Sequence, residues 1–383
     1  MDPGDHWEQP MNRRSFGLVL GACAGFLALP RAFAEGAALS DAAIRDILRR
    51  RVDVDRRATG MVVGIVADGR RRVVAYGTQA AGDSRPVAAD TLFEIGSLTK
   101  VFTALLLADA VQRKQLRFDD PVDRYLPAGF QTPQYNGRAI TLADLATHTS
   151  GLPLFPPLTG HPLEALARYT AADLRAWLAG LALSRDPGSR WEYSNVGYGL
   201  LGLALANQAG ASYEGLLDRR ILDPLGLRDT TLHPAGTARD RLAVGHSPTL
   251  APVPPVDLGL FAPAGALRST AQDLLRFAEA VLPGSGSPLE VPAQQLLGIR
   301  RPAPPIGGDQ ALGWEMAGGT DPYVVKDGVT AGQAASIVLD LPRRIGVVVL
   351  SNALPVKMKA PPDGGVGAAD LARHLVRPAL PLG

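Results

Sequence analysis

Apolar positions fall into distinct patterns along this chain, and the patterns predict its elements. Behind Ser40 they recur at helical spacing, which predicts a capped helix over Asp41 to Arg51. Two β-rich runs follow, Met61 to Ala67 and Arg72 to Tyr76, and the Asp68-Gly69 between them predicts a hairpin. Near the other end, Tyr323 to Lys326, Ala335 to Leu341 and Ile345 to Leu350 read as three strands joined by tight turns, and Ala368 to Val376 as a closing helix. Between them, from Ser97 to about Arg300, the chain is rich in Leu and Ala at helical spacing. Pro/Gly loops such as Phe155 to Pro162, His246 to Pro263 and Leu282 to Pro292 break that stretch. No repeat of fixed period is present. The expected fold is α+β: one antiparallel sheet built from both chain ends and flanked by helices, with a mainly helical region inserted. Its α/β part takes residues 35–96 and 308–383 and its helical part 97–307, and a ligand cleft is expected between them.

The first residues follow another rule. Arg13-Arg14 precede an unbroken apolar run from Phe16 to Leu29, and Ala32-Phe33-Ala34 follow it. Charged, apolar, then small is the order of a secretory signal, here residues 1–34, with Met11 as an alternative start. The arginine pair points to twin-arginine export and a periplasmic protein, and the run is too short and wrongly flanked for a membrane span. A lipoprotein signal ending at Cys23 is the lesser alternative, because the apolar run continues past it to an Ala-x-Ala site. Cys23 is the sole cysteine. The mature domain therefore has no thiol, which excludes internal disulfides and a cysteine nucleophile. With 46% hydrophobic and 20% charged residues and a net charge of +2, the chain reads as globular. No dense Lys/Arg block marks a nucleic-acid partner, so a small-molecule substrate is expected.

Candidate chemistry begins at Ser97-Leu98-Thr99-Lys100. Of 39 basic residues only Lys100, Lys114, Lys326, Lys357 and Lys359 are lysine. A buried lysine can lose its proton, which arginine effectively never does. On a helix, positions i and i+3 share a face, so the amine of Lys100 lies beside the hydroxyl it would activate. Trp191-Glu192-Tyr193-Ser194-Asn195 follows the turn Asp186-Pro187-Gly188 and offers a phenol and a carboxamide two residues apart in a loop. Lys326-Asp327-Gly328 ends a strand, and small residues there let a ligand lie against the strand edge. A unit charge at about 4 Å is worth about 4 kcal/mol at an effective dielectric of 20, so two ammonium groups would draw the Tyr193 phenol toward neutrality. Either Lys100 or Tyr193 can then serve as the base for Ser97, and the two can titrate as a unit.

Ser97-x-x-Lys100, Tyr193-x-Asn195 and Lys326-x-Gly328, in this order and spacing, resemble the penicillin-recognising serine hydrolases. Phe93 to Gly96, Leu116 to Pro121 and Ile140 to Pro153 extend the resemblance to about residues 40–375. The chain is similar to the class C β-lactamase branch and its AmpH-type D-alanyl-D-alanine carboxypeptidase/endopeptidase relatives, and Tyr135-Asn136-Gly137 leans toward the latter. The resemblance implies a β-lactamase/transpeptidase-like fold and a monomeric enzyme without metal or other cofactor. Its substrate would be a β-lactam or a peptidoglycan peptide. It implies Ser97 as nucleophile with Lys100 and Tyr193 as catalytic partners, and an oxyanion hole from the backbone N–H groups of Ser97 and Val329. Asn195 would hold Lys100 and the substrate amide, and Lys326 would attract a substrate carboxylate.

Two positions depart from that pattern. Asp327 stands where relatives usually have threonine, bringing a negative charge that would weaken anionic substrates, favour cationic ones or bridge a cation. Phe155 stands near the place of a glutamine that contacts the acylamide side chain, implying an apolar pocket. The expected activity is β-lactam hydrolysis through a Ser97 acyl-enzyme, with D,D-peptidase, carboxylesterase or penicillin-sensing roles as alternatives on the same scaffold. His148, His161, His233, His246 and His374 are scattered and read as structural or surface residues, His148 as a packed one.

Overall fold

The computed structural model describes residues 39–354, 367–380 and 382. The expected signal over residues 1–34 lies outside them, as do Lys357 and Lys359. Helix α1 (Asp41–Arg49) starts where Ser40 Oγ accepts the backbone N–H of Ala43, and it buries Ile44 and Leu48 one turn apart. It ends two residues short of the expected Arg51, passing into a wider turn over Arg50–Val54. Strands β1 (Gly60–Ala67) and β2 (Arg70–Gly77) form the expected hairpin with Ala67 opposite Arg70. Asp68 and Gly69 both take positive φ, the two-residue turn whose twist matches that of the strands.

The sheet has eight strands, more than the sequence pattern suggested. Three short ones precede the expected C-terminal three: β3 (Arg300–Ala303), β4 (Gly308–Ala311) and β5 (Glu315–Ala317). Then come β6 (Tyr323–Val329), β7 (Ala334–Asp340) and β8 (Ile345–Ser351). The order across the sheet is β2-β1-β8-β7-β6-β5-β4-β3, antiparallel throughout. The N-terminal hairpin therefore joins the C-terminal strands one strand in from the β2 edge, where Met61 of β1 pairs with Ser351 of β8. Sheet structure resumes at residue 300 rather than 308, so the helical part is shorter than expected.

Alternation along the strands divides the core in two. Met61, Val63 and Ile65 face one side with Val347 and Val349, covered by Ile44 and Leu48 of α1 and by Leu371 and Leu375 of the closing helix. Val62, Val66, Val348 and Leu350 face the helical part. That part is built around α2 (Thr99–Gln112), buried from Thr99 to Ala110. A helix apolar on every side belongs at the centre of a helical layer, and α2 packs there against α3 (Asn195–Gln208). Helix α4 (Ala271–Val281) lies under the sheet, with Leu275 against Gly64 of β1. Helix α5 (Ala368–Val376) closes the other face. Its Asp370 pairs with Arg51 at 2.6 Å, both side chains buried.

Candidate active site

Ser97 sits in a tight turn, Gly96–Leu98, that runs directly into α2. Gly96 has φ +51°, and a Cβ there would come within 2.6 Å of the backbone N of Val329. A Cβ on Gly328 would meet the carbonyl oxygen of Ile95 at 1.9 Å. The turn carrying Ser97 and the end of β6 thus lie backbone against backbone, possible only because both positions lack a side chain. Thr99 Oγ1 locks the turn by donating to the Gly96 carbonyl at 2.7 Å and accepting from the Leu267 N–H at 3.1 Å.

Lys100, one helical turn on, is wholly buried. Its Nζ donates to Ala264 O at 2.6 Å, Asn195 Oδ1 at 2.7 Å and Ser97 Oγ at 3.2 Å, occupying all three ammonium protons. Asn195 is delivered by α3, whose start is fixed by Ser194 Oγ accepting the Gly197 N–H at 2.9 Å. Tyr193, just before that cap, places its Oη 2.7 Å from Ser97 Oγ in a hydrogen bond. Lys100 Nζ and Lys326 Nζ stand 4.8 Å and 5.2 Å from the centre of its ring.

Burial disfavours the charged form of Lys100 and, with the nearby charge of Lys326, brings its pKa down to about 8. For Tyr193, burial alone raises the pKa. The charges of Lys100 and Lys326, with the hydrogen bond to Ser97, outweigh it, leaving the phenol below its ordinary 10.0. Lys100 and Tyr193 are thus the two groups touching Ser97 whose pKa values lie below their ordinary ones.

Two residues alter the expected picture. Lys326, expected to attract a substrate carboxylate, is buried and already bonded to Glu315 Oε1 on β5 at 2.8 Å. Despite burial, Glu315 and the phenol hold its pKa above the ordinary lysine value, so it acts on Tyr193 as a fixed positive charge. Asp327 is not an uncompensated charge. Its carboxylate accepts Arg373 Nη2 of α5 at 2.6 Å and Ser336 Oγ of β7 at 2.6 Å, which removes the basis for the expected like-charge repulsion. Among the described residues no group of three or more His, Cys, Asp or Glu side chains could hold a metal ion.

His148 is packed, as expected. Its ring stacks on Tyr193 with centroids 4.2 Å apart, and its Nδ1 accepts the Ser194 N–H at 3.1 Å. An accepting Nδ1 places the ring proton on Nε2, which is buried with no partner. Burial, and then the charges of Lys326 and Lys100, push its pKa well below 6.5, so it packs as a neutral plate behind the phenol. Phe155 is half-buried, edge-on to Phe261 at 5.7 Å. The carbonyl of the preceding Leu154 accepts the Asn195 N–H at 3.0 Å.

Glu315 and Arg373 escaped the reading of the sequence. Glu315 left one signal, an acid set in the apolar run from Ala311 to Met316, and Arg373 left none, since its partner lies 46 residues away across the sheet.

A serine between a lysine and a tyrosine whose pKa values are both lowered, beside the end of an antiparallel strand, is an arrangement suited to serine acyl transfer on an α+β scaffold. The chain belongs to the β-lactamase family, whose model matches residues 41–369. It is 35% identical over 232 residues to the D-alanyl-D-alanine-carboxypeptidase/endopeptidase AmpH of Escherichia coli K12, covering 59% of this chain and 58% of that protein. It is 30% identical over 335 residues to a β-lactamase of the same organism, covering 85% and 81%. Among solved structures, a β-lactamase/D-alanine carboxypeptidase from Yersinia pestis in complex with citrate superposes with a TM-score of 0.70 at 26% identity, over 82% of this chain and 92% of that one.

Proposed function

We propose that this chain is a serine hydrolase of the class C type that opens β-lactams through an acyl-enzyme on Ser97. D-Ala-D-Ala carboxypeptidase or endopeptidase activity would use the same residues. The observation that carries the reading is the double contact of Ser97 Oγ, with Tyr193 Oη at 2.7 Å and Lys100 Nζ at 3.2 Å. In the step inferred, the Ser97 oxygen bonds to the carbonyl carbon while its proton passes to Tyr193 or Lys100. The carbon–nitrogen bond then breaks, and the held proton goes to the leaving nitrogen. Water repeats the sequence on the ester and frees Ser97. The N–H groups of Ser97 and Val329 would hold the oxyanion, consistent with the close approach of their two backbones, and Asn195 would keep Lys100 in place.

The ladder between β5 and β6 ends at Val325, which leaves the backbone beyond it without a strand partner on that side. A substrate amide can lie along that edge, with Phe155 beside it. Residues 1–34 are read as an export signal, and the enzyme as a periplasmic monomer. No helix among the described residues is long and apolar enough to cross a membrane.

The test offers benzylpenicillin and a D-Ala-D-Ala peptide to the wild-type chain and to Ser97→Ala. Release of opened lactam or of D-alanine by the wild type alone is expected. Turnover that survives in Ser97→Ala, with the variant folded by circular dichroism, would place the nucleophile elsewhere.

A further inference from the structure

Beyond Lys100, helix α2 carries a buried hydroxyl that the chemistry above does not use. Thr103 lies one helical turn past Lys100, so the two side chains share a face. That face grips the segment following Phe261 at three points. Thr103 Oγ1 donates to the carbonyl oxygen of Pro263 at 2.7 Å, Lys100 Nζ to that of Ala264 at 2.6 Å, and Thr99 Oγ1 accepts the Leu267 N–H at 3.1 Å. Two successive carbonyls of the short turn Ala262–Gly265 are therefore held by two residues of one helix.

A second hydroxyl stands behind Thr103. Tyr213, half-buried at the start of the short helix Tyr213–Leu217, places its Oη 2.7 Å from Thr103 Oγ1. Burial holds the Tyr213 phenol above its ordinary pKa, so it stays protonated. A threonine hydroxyl has one proton to give, and Pro263 O at 2.7 Å is nearer than Thr99 O at 3.3 Å. The chain therefore runs one way, from Tyr213 Oη through Thr103 Oγ1 to Pro263 O. Helix α3 closes the other side of the turn: a Cβ on Gly202 would fall 2.2 Å from Pro263 Cγ and 3.4 Å from Tyr213 Cδ2. The other titratable and charged groups around Lys100 bond elsewhere, Tyr193 to Ser97, Tyr198 to Ala146 O, Lys326 to Glu315 and neutral His148 to the Ser194 N–H. None of those bonds reaches the Ala262–Gly265 turn.

We infer that Thr103 and Tyr213 are positioning residues for Lys100. Their hydrogen-bond chain fixes Pro263 O, and with it the aim of the neighbouring Ala264 O at Lys100 Nζ. Ala264 O is the one backbone acceptor among the three that Lys100 uses. With the chain cut, the turn relaxes and the ammonium loses part of a bond that favours its charged form, so the free amine is reached at lower pH. The amine is at the same time less firmly aimed at Ser97. The consequence for acylation rests on the reading of Ser97 as the nucleophile.

The test labels the lysines with carbon-13 at Cε and follows their NMR signals as pH is varied. The chain has five lysines, so the Lys100 signal is assigned by its loss in Lys100→Arg. Thr103→Val keeps the shape and removes the hydroxyl, and it is expected to lower the Lys100 inflection by about one unit, the scale of one hydrogen bond to a charged group. Tyr213→Phe should lower it by less, and Thr103→Ser, which keeps the hydroxyl, should leave it at the wild-type value. The acid limb of Ser97 acylation by benzylpenicillin should move with the Lys100 signal, and its plateau should fall about tenfold in Thr103→Val. An inflection that Thr103→Val leaves unmoved or raises overturns the proposal. Should that variant fail to fold, the same result in Tyr213→Phe overturns it. A wild type that benzylpenicillin does not acylate overturns the Ser97 reading instead, and the lysine signal still decides the positioning role.

Discussion

Lys100 is buried and Tyr193 partly buried, and both pKa values lie below their ordinary ones, the amine's by loss of solvent and the phenol's by two cations. In the proposed mechanism, the form that accepts the Ser97 proton has lost one proton from this pair. Acylation by a penicillin should therefore slow as pH falls through about 8 and level off above it. His148 contributes nothing to that limb, because it is already neutral there. Stopped-flow acylation between pH 5 and 10 checks this, and a flat profile would contradict it. Lys100→Arg keeps the charge and loses the titratable amine, so acylation should fall by about a thousandfold, within the usual range for a general base. At this scale Ser97, Lys100, Tyr193 and Asn195 were legible because their chemistry lies in residue type and short spacing. The partners that reset Lys326 and Asp327 were not: Glu315 and Arg373 reach them from other elements, a relation that no local spacing encodes.

Elements position these groups through backbone contact as much as through side chains. Gly328 has ordinary strand geometry, and what it cannot tolerate is volume, since a Cβ would lie 1.9 Å from the Ile95 carbonyl. Gly328→Ala should push the end of β6 away from the Ser97 turn, moving Val329 N–H off the oxyanion position. A loss of at least about a hundredfold in kcat is expected, the scale of removing one oxyanion donor, with a lowered thermal midpoint because the atoms that must give way are backbone. Wild-type rates in Gly328→Ala would remove Val329 from the mechanism. The hairpin, the three C-terminal strands and the closing helix were legible because they are long, periodic and bounded by turn residues. Strands β3, β4 and β5 were not: they hold only four, four and three residues, and prolines and glycines punctuate them. Their ladder comes from neighbouring strands rather than from any alternation of their own.

At the scale of the whole molecule, the sheet joins the two chain ends, and one buried ion pair ties the helices that cover it. Arg51 follows α1 and Asp370 opens α5, 319 positions apart in sequence. Asp370→Ala would leave the arginine buried without its charge partner, a loss expected to cost about 3–5 kcal/mol. Urea unfolding should show it as a lower midpoint with unchanged slope, whereas an unshifted midpoint would mean the two ends are held together by their apolar contacts alone. The general plan, a sheet from both ends around a helical insertion, followed from where the hydrophobic period changes. The width of the sheet and the depth at which Lys326 is buried depend on contacts that form only once that plan is folded.

The most direct test of the mechanism is time-resolved intact mass spectrometry of the chain mixed with excess benzylpenicillin, with the adduct mapped by peptide digestion. The expected result is a single penicilloyl adduct on Ser97 that rises, then clears as the drug is consumed. Drug consumption with no adduct at any time, or an adduct on a residue other than Ser97, would contradict it.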